Sequence, residues 1–351
     1  MLLASDLGGT KTLVGLFKRT DGRPELLDTR EFLTLDFPGL SSIIVSFLQA
    51  TGTRPNEIEA ACLGVAGPII KQVVRLSNVP WRVDGREVID TTRISRLWLL
   101  NDVEAMAYAV SALEPDERHP LQEGVFNTDG NMCLLTAGTG LGQAILVRHQ
   151  GRLLPCPSEG GHADFAARTP REIELLQYLT REYGRAHTEH IVSGPGLVNL
   201  LRFTSEGRSA LLAKNGDPSE DRELPAAITK RGLEGSDPHC VEALQLFLGA
   251  FGAAAGNFAL QSVATGGVFL GGGIPSKILD AFQLPAVSGV ERPIFLDAFL
   301  QKPPMEHMLK RIPIHVILNR RAGLLGAAVY ASAMTGRALD RSPVVSRVNI
   351  S

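Results

Sequence analysis

The chain has 351 residues, of which 44% are hydrophobic and 21% charged, with a formal net charge of −2. That length accommodates two core-bearing domains, and so small a net charge offers no basic field for nucleic acid or an anionic membrane surface. No basic-then-apolar leader opens the chain, and the most apolar later run, Leu246 to Gly256, suits a buried helix better than a membrane span. The expectation is a cytoplasmic protein. Four scattered cysteines (Cys62, Cys133, Cys156 and Cys240) form no C-x-x-C pair, which predicts four buried thiols and neither a zinc cluster nor a disulfide framework.

Residues 2–17 read L-L-A-S-D-L-G-G-T-K-T-L-V-G-L-F. Two apolar runs flanking a Gly8-Gly9-Thr10 turn predict a β-hairpin. The glycines let a backbone approach a phosphate closely, Thr10 adds a hydroxyl, and Asp6 closes the first strand, where its carboxylate could face Mg²⁺ or its water shell. An ordinary tight turn is the plain alternative. Further along, residues 133–147 (C-L-L-T-A-G-T-G-L-G-Q-A-I-L-V) repeat the device around Gly138, Thr139 and Gly140.

In chain order, Glu25 to Thr34 predicts a third strand, and Leu40 to Thr51 a helix with Ser41 and Ser42 at its start. Ile58 to Pro68 reads as an apolar strand ending in a Gly67-Pro68 turn. Residues 76–81, L-S-N-V-P-W, carry Asn78 and Trp81, which alone suggests a turn anchored by an aromatic ring. Leu97 to Asp102 is an apolar run ending in Asn101 and Asp102 before a helical segment. Open α/β sheets place ligands at such strand ends, although Asp102 taken alone reads as a helix cap.

Glu114 to Gly130 is polar, contains Pro115 and Pro120, and predicts a surface connection. After the second glycine hairpin, residues 155–165 contain E-G-G-H, with Glu159 as an acceptor and His162 as a donor or acceptor. No second histidine stands at helical spacing to make a metal site. Thr169 to Tyr183 is an amphipathic helix capped by Thr169 ahead of Pro170. Residues 188–199, T-E-H-I-V-S-G-P-G-L-V-N, place Glu189 before a turn. Leu200 to Arg231 reads as an irregular polar loop. Val241 to Val263 is a long helix whose small residues permit close packing. A strand between glycine clusters, with Gly271, Gly272 and Gly273 at its end, is followed by a predicted helix. The runner-up there is a Rossmann dinucleotide loop, against which stands the missing G-x-G-x-x-G. A strand over Ile312 to Leu318, a closing helix and a polar tail from Thr335 complete the chain.

The strings D-L-G-G-T (6–10) and T-A-G-T-G-L-G (136–142) resemble the two phosphate loops of the sugar kinase, Hsp70 and actin superfamily. Together with L-N-D (100–102), E-G-G-H (159–162) and S-G-P-G-L-V-N (193–199), they make the chain resemble the bacterial glucokinases. The resemblance implies an α/β fold of the two-lobed actin-like ATPase (ribonuclease H-like) type, with duplicated mixed sheets and a central cleft. Residues 1–113 with about 323–340 would form the small lobe, 114–322 the large lobe and 341–351 a polar tail. The implied reaction is ATP-dependent phosphorylation of D-glucose at its 6-hydroxyl, with ATP and Mg²⁺ and no zinc, in a homodimer.

By the same resemblance, Asp102 is the catalytic base. Asn78, Asn101, Glu159, His162 and Glu189 hold the sugar, with Glu189 at its anomeric end. Asp6, Gly8, Gly9, Thr10, Lys11, Gly138, Thr139 and Gly140 serve the phosphates, Gly271 to Gly273 the adenosine, and Asp6 the Mg²⁺ through water. Lys11 departs from many bacterial glucokinases, which carry Asn there. G-G-T-K is typical of the sister family of repressors, open reading frames and sugar kinases, but that family's zinc-binding C-x-C-G-x-x-G-C cluster does not follow His162. The alternatives are a broader hexose or N-acetylhexosamine kinase, or a non-catalytic sugar-sensing regulator. A regulator of this kind usually appends an amino-terminal helix-turn-helix, for which a hairpin starting at Leu2 leaves no room. A partner-moving ATPase is disfavoured by the L-N-D and E-G-G-H strings.

Overall fold

The computed structural model describes residues 1–76, 79–212, 223–286 and 291–335. The chain divides into two compact units, one made of Met1–Leu113 with the chain from Arg321 onward, the other of Glu114–Arg320.

The first unit is built on a five-stranded sheet. Strands β1 (Leu2–Leu7), β2 (Lys11–Lys18) and β3 (Glu25–Leu33) form an antiparallel meander. β4 (Ala60–Val65) adds in parallel to β1, β5 (Val73–Arg75) and β6 (Arg82–Asp84) pair with each other, and β7 (Leu97–Asn101) lies parallel to β4. The sheet order is β3-β2-β1-β4-β7. Alternation along β1 explains how helices cover both faces: Leu3 and Leu7 enter a core with Ile43, Ile44 and Phe47, whereas Leu2 and Ala4 enter another with Leu324, Ala327 and Ala328. Helices α1 (Leu40–Thr51) and α2 (Gly85–Thr92) supply the first face. Helix α3 (Asp102–Ala109) and the closing helix Ala322–Thr335 supply the second. β4 is buried along its whole length, as a parallel strand covered on both sides must be.

The second unit repeats the plan. Its strands are β8 (Arg118–Gln122), β9 (Met132–Ala137), β10 (Leu141–His149), β11 (Arg152–Ser158), β12 (Gly267–Gly271) and β13 (Ile314–Ile317), in the order β11-β10-β9-β12-β13-β8. β9, β10 and β11 are an antiparallel meander, and β9, β12 and β13 run parallel. Between β11 and β12 lie α4 (Pro170–Tyr183), α5 (Gly194–Thr204), α6 (Leu224–Glu234) and α7 (Pro238–Ser262). α8 (Ile294–Leu300) and α9 (Glu306–Leu309) precede β13, and the closing helix is α10. α7 is long and apolar enough to cross a membrane, but 72% of its most apolar window is buried. Gly252 and Gly256 lie against the Phe295 and Phe299 carbonyls of α8, so the small residues admit a neighbouring helix.

Four expectations are corrected. The polar connection after Glu114 contains β8, which needs little apolar surface because it is an edge strand paired only with β13, and Pro120 is tolerated at such an edge. The segment Leu200 to Arg231 is helical at both ends, in α5 and α6, where Leu200, Leu201, Leu224 and Ile228 are buried; residues 213–222 lie outside the described residues. Cys62, Cys133 and Cys240 are buried, but Cys156 is exposed because it sits on β11, an edge strand of its sheet. After Gly273 the chain makes short 3₁₀ turns at Pro275–Lys277 and Leu279–Gln283 in place of the expected helix. The polar tail after Thr335 lies outside the described residues.

Candidate active site

In the first unit the carboxyl ends of three parallel strands stand side by side. Asp6 of β1 is in register with Gly64 of β4, and Val65 of β4 with Asn101 of β7. The side chain of Asn101 caps α3, accepting from the Val103 and Glu104 amides at 3.0 and 3.3 Å and donating to the Gly67 carbonyl at 3.3 Å. Asp102, already the first residue of α3, also accepts from the Val103 amide at 3.0 Å. The capping geometry thus belongs chiefly to Asn101, whose amide is committed to backbone partners.

Asp6 is packed closely by protein atoms. Burial, with the charge of Asp102 adding to it, pushes its carboxyl up to about 6. A hard cation or its water shell would relieve both effects, so this oxygen donor fits Mg²⁺. The Gly8-Gly9-Thr10 turn joins β1 to β2 through a Gly8 N–H to Lys11 carbonyl bond of 3.0 Å. Thr34 braces it, donating its hydroxyl to the Gly8 carbonyl at 2.8 Å and its amide to the Thr10 carbonyl at 2.9 Å. Lys11 pairs with Glu31 on β3 at 2.5 Å. Asn78 lies outside the described residues.

In the second unit the structure brings several of the expected residues around one hairpin tip. Gly138 donates to the Gly140 carbonyl at 2.9 Å and accepts from the Gly194 amide, at the start of α5, at 2.8 Å. Thr139 is exposed between them. Gly271 ends β12 beside Thr136 of β9. Gly272, at φ +90°, lies against the Ala137 carbonyl where no Cβ would fit, and Gly273 follows beside Gly138. Glu189, in a 3₁₀ turn, accepts from the Leu141 amide through Oε2 at 2.7 Å, and a Cβ on Gly140 would stand 2.5 Å from that oxygen. His162 Nδ1 is 3.9 Å from Glu189 Oε1, and His162 Nε2 is 4.0 Å from Glu159 Oε2. Glu159 itself is largely exposed.

Two features escape the sequence reading. Glu104, in the first turn of α3, is mostly buried, and that burial pushes its carboxyl up to about 7 against an opposing backbone contact at Asn101. His187 and His190, whose spacing on either side of Glu189 is visible in the sequence, lie against each other at a ring separation of 3.6 Å with planes tilted by 33°.

A three-strand meander with two further parallel strands, repeated in each unit with a glycine turn after its first strand, defines the actin-like class of sugar-phosphorylating folds. A family model described as Glucokinase matches residues 3–334. The glucokinase of Nostoc punctiforme is 36% identical over 95% of this chain and 99% of its own length, and that of Synechocystis 35% identical over 94% and 97%. The crystal structure of a glucokinase from an Antarctic psychrotroph superposes with a TM-score of 0.78 at 28% identity, covering 95% of this chain and 98% of the other. The chain belongs to the glucokinase family. A glucokinase of the ROK family from Streptomyces griseus, solved in complex with glucose and AMPPNP, shares the fold at a TM-score of 0.58 and 22% identity, over 95% of this chain and 99% of the other.

Proposed function

We propose that this chain transfers the γ-phosphoryl group of ATP to the 6-hydroxyl of D-glucose, giving ADP and glucose 6-phosphate. The observation that carries the reading is the placing of Asp102: a carboxylate just past the end of a parallel strand, next to a capping asparagine and near Asp6, in a chain that matches the glucokinases along nearly its full length. Asp102 accepts the proton of the 6-hydroxyl as its oxygen attacks phosphorus. The bond from phosphorus to the bridging oxygen breaks, and ADP leaves with that electron pair. Asn101 orients the start of α3 through its cap and holds a sugar hydroxyl with what remains of its polar surface.

Glu159, His162 and Glu189 take further hydroxyls as acceptors and donors. The Leu141 amide fixes the direction of Glu189. The Gly8 and Gly138 N–H groups close the two turns, and the tips of the Gly8–Thr10 and Gly138–Gly140 turns take phosphate oxygens, with Thr10, Thr139 and Lys11 adding donors. Gly271 to Gly273 leave room for the adenosine. Asp6 would hold Mg²⁺ through its water shell, and the ion would supply neutralisation of phosphate charge. A role for Asn78 at the sugar rests on the sequence resemblance alone. The cytoplasm and a homodimer complete the reading on the same resemblance, and sedimentation equilibrium tests the dimer.

The deciding experiment is a coupled assay with glucose, mannose, fructose and N-acetylglucosamine, each with ATP and with polyphosphate. Glucose with ATP is expected to give the highest kcat/KM. A preference for another hexose or donor, or an absence of turnover with measurable sugar binding, overturns the assignment.

A further inference from the structure

Around Glu189 four rings stand in a row. His162, from the turn after β11, meets His187 edge-on with ring centroids 5.0 Å apart. His187 lies 3.6 Å from His190, and His190 stacks on Tyr183 at 4.3 Å with planes 21° apart. The far end is anchored. The Tyr183 hydroxyl donates to Asn199 Oδ1 at 2.8 Å, and Asn199 Nδ2 donates to the His190 carbonyl at 3.0 Å. Glu189 sits between the two histidines in sequence, with one carboxylate oxygen on the Leu141 amide and the other facing His162.

We propose that His187 and His190 are positioning residues for His162 and Glu189, and that the neutral state of this inner pair sets the acid limit of glucose binding. The inference rests on the hexose-contacting roles given to His162 and Glu189 above.

A proton entering this stack meets three obstacles. His187 Nδ1 is buried without a hydrogen-bond partner, so protonation there would create an N–H with nothing to accept it. Two imidazolium rings cannot share a separation of 3.6 Å without repulsion. The surroundings also act on the charge. Burial first and the adjoining imidazoles next hold both rings below the ordinary histidine value, with Arg185 acting in the same direction. Glu189 opposes this for both rings, and the Gly161 backbone for His187. Asp164 is engaged by Arg185 at 2.6 Å, Glu159 faces His162 and not the inner pair, and Tyr183 presents a ring face. Among the described residues, Glu189 is therefore the carboxylate that acts on both inner rings.

Above the ordinary imidazole value near 6.5 the inner pair, His187 and His190, is neutral, and Glu189 is left to the Leu141 amide and the sugar. Below it, a proton forced into the stack draws the Glu189 carboxylate inward and parts the rings. Glucose affinity falls while the proton-accepting step at Asp102 is untouched by this change.

The test measures kcat and KM for glucose from pH 5.5 to 8 in wild type and in the double variant His187→Ser with His190→Gln. Wild-type KM is expected to rise about fivefold or more on the acid side and the variant's less than about twofold, with parallel kcat profiles. An equal rise in KM in both proteins overturns the proposal. NMR titration of the wild-type imidazoles gives a readout that needs no variant. Saturating glucose should lower the titration midpoints of His187 and His190, and midpoints indifferent to glucose overturn the proposal as well. A protein with no glucose kinase activity at any pH would instead refute the functional reading on which the proposal rests.

Discussion

The two units share a sheet plan but differ in the surroundings of their candidate-site carboxylates. In the first, Asp6 and Glu104 are partly buried, and desolvation pushes both carboxyls upward, with Asp102 adding its charge at Asp6. In the second, Glu159 is largely exposed, and Glu189 is fixed by a backbone amide and bordered by histidine rings. Desolvated carboxylates suit proton transfer and cation binding, because a proton or a cation offsets the cost of burying their charge. Fixed, partly exposed carboxylates suit the reading of hydroxyl patterns, because their lone pairs are aimed and still reachable.

The sharpest way to break this comparison is at Asp102. Asp102→Asn keeps a hydrogen-bonding side chain of the same shape but removes the base. Its kcat should fall by about 10²–10⁴-fold with little change in KM for glucose, since that is what a general base typically contributes. Steady-state kinetics with calorimetry of glucose binding checks it. Near-normal turnover would reduce Asp102 to a partner of Asn101 in capping α3.

The next largest effect belongs to the second unit. Glu189→Gln weakens a charge-assisted bond to the Leu141 amide and a sugar contact together. A loss of roughly 10–100-fold in kcat/KM follows, carried mainly by KM. A fall confined to kcat would place Glu189 with the reacting groups and erase the contrast between the units.

How far the sequence carried this division depended on locality. The two glycine hairpins were legible because each is a short apolar–turn–apolar pattern whose register its own turn sets. The amphipathic α4 was legible for the same reason, and Thr169 accepts from the Glu172 amide as a cap should. β8 was hidden because an edge strand paired with a distant segment carries no periodic apolar signal of its own. Asn101 and Asp102 were found as a pair, but which of them caps α3 is settled by backbone dihedrals that composition does not encode. Glu104 and the histidine stack were missed for a related reason. Their character comes from burial and ring contacts supplied by the fold, and neither residue type signals these in sequence.

A smaller effect separates two neighbouring glycines in the second unit. Gly272 has a positive φ and lies against the Ala137 carbonyl, whereas a Cβ on Gly273 meets nothing within 4 Å. Gly272→Ala should therefore destabilise the fold by about 3 kcal/mol, and Gly273→Ala by well under 1 kcal/mol. Urea unfolding of the two variants side by side is the measurement. Equal losses would mean that the triplet is conformationally uniform and that its end does not pack on β9.

The smallest effect concerns Glu104, and its sign separates burial from catalysis in the first unit. Its carboxyl is raised from the ordinary 4.5 to about 7, with burial as the leading cause. Below pH 4.5 the group is protonated in both the folded and the unfolded chain, and it contributes nothing to the pH dependence of stability. Between 4.5 and 7 the unfolded chain has lost its proton and the folded chain has kept it. The stabilisation is lost progressively as pH rises through that window and does not return above it. Glu104→Gln removes the ionisable group and keeps the shape. The variant should gain about 2 kcal/mol over wild type at pH 8, a figure held below the full shift because the side chain keeps some solvent contact, and almost nothing at pH 4.5. Urea unfolding of both proteins at pH 4.5, 6 and 8 gives the difference directly. A gain that is the same at all three values would mean that Glu104 is not the group that titrates, and the desolvated character of the first unit would then rest on Asp6 alone.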